Sequence, residues 1–86
     1  MKLKLQLVKR DIAGDVILVP VGEATSSIKG LITINDTGAA IWDALPEAED
    51  EEAIVDVLYE QFDADRGELR KDVDEFLDKL RELDII

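Results

Sequence analysis

An α+β fold, a three-stranded antiparallel sheet followed by three helices, is what this sequence predicts, and three observations carry it. Apolar residues alternate or run together in short β-branched stretches up to Ile34, and from Asn35 onward they recur at helical spacing. Strands and helices are segregated along the chain instead of alternating, which is the order of an antiparallel sheet packed on a helical layer. The 86 residues, 47% hydrophobic and 36% charged, have the composition of a folded chain with room for one core, so residues 1–86 are expected to form a single domain.

Leu3, Leu5 and Leu7 alternate with Lys2, Lys4 and Gln6, the pattern of a half-buried first strand. A turn is expected at Ala13-Gly14-Asp15, where glycine supplies the positive φ of a tight hairpin. Val16 to Val21 is a continuous, largely β-branched run and reads as the second strand. Pro20 cannot donate to a ladder, so it belongs near a strand end or facing outward. Gly22 to Lys29 reads as a polar connection, and Leu31-Ile32-Thr33-Ile34 as a short third strand.

Asn35 or Asp36 can cap a helix near 36–45, with Ala40, Ile41, Trp42 and Leu45 apolar and Pro46 as its stop. Asp50 caps a second helix near 51–62, where Glu51 and Glu52 suit the positive end of the macrodipole and Ile54, Val57, Leu58 and Phe62 form the stripe. Asp65 caps a third near 66–83, with Glu68 at capping-box spacing and Leu69, Val73, Phe76, Leu77, Leu80 and Leu83 inward. Trp42, Leu58, Phe62, Val73, Phe76 and Leu80 are the expected core. Arg70, Asp74 and Arg81 share a flank beside Leu77.

Composition excludes several chemistries. With no Cys and no His there is no disulfide, no thiolate nucleophile, no imidazole base and no Cys/His zinc site. The N-terminus lacks an apolar signal core, and no run approaches the ~18 apolar residues of a membrane span, so a cytoplasmic protein without membrane contact is expected. A net charge of -11, from 21 acidic and 10 basic residues, repels phosphate backbones. No Lys or Arg occurs between Gly30 and Asp65, so the second helix has nothing to offer duplex DNA, and nucleic-acid binding is the weaker rival reading. Asp63-Ala64-Asp65-Arg66-Gly67 starts like a calcium loop but places Glu68 where the turn needs Gly. The acidic helical half lacks the Asp-Ser-Leu attachment site of an acyl carrier protein. Carboxylates are abundant but have no partnering base, nucleophile or electrophile, so no enzyme is expected.

The stretch Gly30-Leu31-Ile32-Thr33-Ile34-Asn35-Asp36-Thr37-Gly38-Ala39-Ala40-Ile41-Trp42 resembles the strand-to-helix signature of PqqD-like proteins. These are also called RiPP recognition elements, after the ribosomally made, post-translationally modified peptides they serve. The resemblance continues through Val16 to Gly22, the Glu-rich start of the second helix, and Asp72-Val73-Asp74-Glu75-Phe76-Leu77, and so covers nearly the whole chain. Ala53 departs from it, since many relatives carry a third acidic residue there, which bears on helix capping alone. The resemblance implies a winged-helix-like domain, without catalysis and without a cofactor, that binds the leader region of a precursor peptide as an added strand. It also implies a modifying enzyme as partner, often of the radical S-adenosylmethionine type. A purely structural subunit stabilising an enzyme is the remaining alternative.

The residues agree with a peptide edge. A short strand between Gly30 and Asn35 can present unpaired N–H and C=O groups, and strand addition uses such groups for affinity and side-chain pockets for specificity. The expected peptide site is therefore the edge Leu31, Ile32, Thr33 and Ile34, with Leu69, Val73 and Leu77 as the apolar wall. Arg70 is expected to steer an acidic leader residue.

Overall fold

In the computed structural model, which describes residues 1–86, the hairpin turns where glycine allows it. Ala13 and Gly14 both take positive φ, 52° and 88°, between β1 (Leu7–Ile12) and β2 (Asp15–Pro20). The register runs from Ile12 opposite Asp15 to Leu7 opposite Pro20. Strand β3 (Ile32–Ile34) adds antiparallel to β2, with Leu18 opposite Ile32 and Val16 opposite Ile34. The order β1-β2-β3 leaves β1 and β3 as the two edges.

The first strand therefore lies further along the chain than its Leu-Lys alternation suggested. Past Pro20 only the Val21 N–H to Gln6 carbonyl bond continues the pairing, at 3.1 Å. Gly22, at φ 58°, then turns the chain away into the short helix α1 (Ala24–Ser27), in the segment read as a polar connection. Residues 3 to 5 are left with no strand to pair with. Leu3 and Leu5 instead pack on the core, held by the Lys4 N–H donating to the Ile85 carbonyl at 2.6 Å. Period-2 alternation marks any extended segment with one buried side, in a ladder or out of it.

The three long helices start at the expected caps and end one residue short of the expected ends. Asn35 caps α2 (Asp36–Ala44) by accepting from the Gly38 N–H at 2.8 Å, and Asp50 caps α3 (Glu51–Gln61) by accepting from the Ala53 N–H at 2.9 Å. Asp65 caps α4 (Arg66–Glu82) through the Gly67 N–H at 3.0 Å; the expected reciprocal arrangement with Glu68 is not formed. The winged-helix-like expectation of three strands followed by three helices stands, with α1 as an addition before β3.

The core is a cluster of 17 buried residues between the inner sheet face and the helices. Leu18, Ile32 and Ile34 enter from the sheet, Ile41, Trp42 and Leu45 from α2, Ile54, Val55 and Leu58 from α3, and Leu69, Val73, Leu77 and Leu80 from α4. Phe62 and Phe76, expected inside, are only half-buried at its margin. No polar or charged side chain is buried.

On the far side of α4, arginines bind it to α3. Arg66 pairs with Glu52 at 2.7 Å and with Asp56, and Arg70 pairs with Glu52 and, at 3.7 Å, with Glu51. Hydrogen bonds from Arg66 and Arg70 hold the Glu52 carboxyl below its ordinary range. Glu51 next to it is raised, chiefly by hydrogen bonding with Asp74, against the lowering effect of Arg70.

Candidate functional site

The two edges of the sheet are built differently. Strand β1 carries Lys9, Arg10 and Asp11 in succession, and charge along an edge discourages a further strand from docking there. Strand β3 is Ile32-Thr33-Ile34, with no charge. Its two isoleucines point into the core, 8% and 9% exposed, while Thr33 faces out. Leu31, just before it, is 61% exposed.

Beside this uncharged edge the surface sinks. A cleft of about 310 Å³ lies between β3, the start of α2 and the middle of α4. Thr33 and Ile34 line it from the strand, and Asn35, Thr37 and Gly38 from the turn into α2. Helix α4 contributes Asp72, Glu75, Phe76 and Lys79, spaced so that one flank of the helix faces the strand. A shallower depression of about 300 Å³ lies at the other end of β3, with Val19, Pro20, Ile28 and Leu31 among its walls. An extended segment laid along β3 would run between the two.

The cleft depends on a missing methyl group. A Cβ built on Gly38 would stand 3.2 Å from Asn35 Oδ1, from Ile34 Cβ and from Phe76 Cε1. That is tighter than ordinary van der Waals contact, so the start of α2 approaches β3 and α4 this closely because residue 38 is glycine. The same approach lets Asn35, the helix cap, sit in the wall of the cleft.

Of the residues expected at the site, Leu31, Ile32, Thr33 and Ile34 lie on or beside the open edge. Leu69, Val73 and Leu77 do not reach the cleft: they are 2%, 0% and 0% exposed, committed to the core. The apolar wall is supplied by Phe76, the next position around the helix. Arg70 lies on the opposite flank of α4, against Glu51 and Glu52, so it does not face the strand, and the cation in the cleft is Lys79. The signal that could have found Phe76 and Lys79 was present in their spacing with Asp72 at i, i+4 and i+7. Which flank of the helix meets the strand is not written in that spacing.

A family model for coenzyme PQQ synthesis protein D (PqqD) matches residues 15–86. The chain belongs to the PqqD family. Among solved structures, this PqqD-family chain is similar to "TbiB1 in Complex with the TbiA(beta) Leader Peptide". The two share 25% identity with a TM-score of 0.72, covering 99% of this chain and 93% of that one. No curated protein matches it. No helix is long and apolar enough to cross a membrane.

Proposed function

We propose that this PqqD-family chain is a non-catalytic adaptor that binds the leader region of a precursor peptide along β3 and presents it to a modifying enzyme, of the radical S-adenosylmethionine type. The observation that carries the reading is the coincidence of an uncharged open strand edge with a cleft walled by α4. Strand addition needs both features: backbone groups to pair with, and a wall that receives every second side chain. The similar fold of a protein described in complex with a leader peptide supports it. Within the site, Leu31 to Ile34 supply the edge and Phe76 the apolar wall. Leu69, Val73 and Leu77 act beneath it by fixing α4 in place.

The test is amide chemical-shift mapping of the ¹⁵N-labelled protein, using synthetic peptides from short reading frames encoded beside its gene. The expected result is shifts at Ile32 to Asn35 and at Phe76 and Lys79. Shifts confined to α3 would overturn the strand-addition reading. For the enzyme partner, the peptide is incubated with a neighbouring radical enzyme with and without the adaptor. A modified mass that depends on the adaptor supports presentation, and equal conversion in both opposes it.

A further inference from the structure

The charges lining the cleft form no ion pair, in contrast to the arginines of α4. Arg66 and Arg70 are engaged by Glu51, Glu52 and Asp56, and Arg81 pairs with Asp78 at 3.0 Å. Asp72, Glu75 and Lys79 form no ion pair. Lys79 stands four residues after Glu75, the spacing at which a lysine offsets a glutamate on a helix surface, so the uncompensated charge of the wall is negative and centred on Asp72. The background field has the same sign. Apart from Asp11, Asp15 and Glu23, all 21 acidic residues follow Asn35, in the half of the chain that includes α4.

Geometry adds a spacing. Asp72 and Phe76 are four residues apart on α4, about 6 Å along its axis, and same-side residues of a strand are about 6.6–6.8 Å apart. Asp72 and Phe76 line the cleft together with Thr33 and Ile34, so their spacing matches two alternate side chains of a strand added on β3 and lying along α4. From these observations, and resting on the peptide-binding reading above, we infer that the peptides this cleft takes carry Lys or Arg two residues from a large apolar side chain. The cation faces Asp72 and Glu75, and the apolar group packs on Phe76. This reverses the acidic leader that Arg70 was expected to steer. The site is the cleft and its open strand; the carboxylates select among the strands that fit it.

The experiment is panning of a displayed library of random twelve-residue peptides against the whole protein, read by sequencing. For the wild type, the expected enrichment is Lys or Arg two positions from Phe, Leu, Ile or Trp, in one order or the other. Against the double variant D72K/E75K the same library is expected to yield Asp or Glu at that position. A control variant, E60K/D63K, changes net charge equally away from the cleft and is expected to leave the wild-type preference intact. For one enriched peptide, replacing the basic residue by Glu is expected to weaken binding to the wild type about tenfold at low salt, with most of the difference lost in 1 M salt. Acidic enrichment on the wild type, or a basic preference that survives D72K/E75K, overturns the inference. Enriched peptides with apolar alternation but no charge preference leave strand addition standing and remove this inference alone. No enrichment over a blank surface removes both.

Discussion

Helix α4 presents one flank to α3 and the other to β3, and only the first has its charges satisfied. Toward α3, Arg66 and Arg70 meet three carboxylates. Toward β3, Asp72, Glu75 and Lys79 stand beside a half-buried phenylalanine and an open strand edge. The apolar stripe between the flanks, Leu69, Val73, Leu77 and Leu80, is common to both and anchors the helix. One helix thus serves as the joint of the fold on one side and as the wall of its cleft on the other. The difference teaches where to look for recognition in a domain this small: at the surface whose charges and hydrogen-bonding groups the fold has left unmatched.

The comparison can be broken first at the shared stripe. Leu77→Ala, at a residue with 0% exposure, is expected to cost about 2–5 kcal/mol in urea unfolding, a large share of a small domain's stability. A loss under about 1 kcal/mol would mean that the stripe does not anchor the helix. Phe76→Ala comes next. Being only half-buried, Phe76 is expected to contribute about 1–2 kcal/mol, below the range of a fully buried phenylalanine. Leader binding should weaken far more than this stability loss accounts for, as measured by titration under conditions where the variant is folded.

The satisfied flank is expected to show itself through pH. Glu52 is held below its ordinary range when folded, so its contribution is present above the unfolded carboxylate value and is lost as pH falls toward the folded one. Glu52→Gln should therefore lower Tm slightly at pH 7, and the gap to wild type should close below about pH 4. A gap that stays constant with pH would show that the Arg66 and Arg70 contacts contribute nothing to folding. The smallest effect belongs to the open flank. Asp72→Asn and Glu75→Gln should each leave unfolding free energy within about 0.5 kcal/mol of wild type, since neither carboxylate forms an ion pair. A larger loss at either would mean that this flank too is part of the joint.

The sequence made much of the fold legible, because strand period, hairpin glycine and helix caps are all local signals. Asp50 and Asp65 cap the helices they were expected to cap, and of the two candidates Asn35 and Asp36 it is Asn35 that caps α2. Leu3 and Leu5 misled, since alternation reports a buried side without saying what lies alongside. At the site, the edge position of β3 was legible from its shortness between Gly30 and Asn35. The wall was not. Leu69, Val73 and Leu77 were recognised as apolar, but an apolar stripe on a helix is claimed first by the core. Arg70 and Arg81 were correctly grouped on one flank, yet only the packing of α4 between α3 and β3 decides which neighbour that flank meets. Phe76 was read as core because its spacing fits the stripe, and it lies at the stripe's edge, where core and cleft meet.

The three-residue length of β3 bears on time as well as on place. Alternate residues of an edge strand direct their backbone groups outward, so β3 offers roughly two to four hydrogen bonds, each worth about 0.5–1.5 kcal/mol net. That sum, about 1–6 kcal/mol, falls short of most of the roughly 4–15 kcal/mol range of freedom lost on association, so the edge aligns a guest more than it grips one. Side chains must supply the remainder. At an affinity on the order of 1 μM, with ordinary association rates of about 10⁶–10⁷ M⁻¹s⁻¹, a bound segment leaves within roughly 0.1–1 s. A longer edge would hold its guest for longer. The early stop of β3 thus limits what the backbone adds to dwell time, and a brief dwell would suit the proposed role of handing a peptide on.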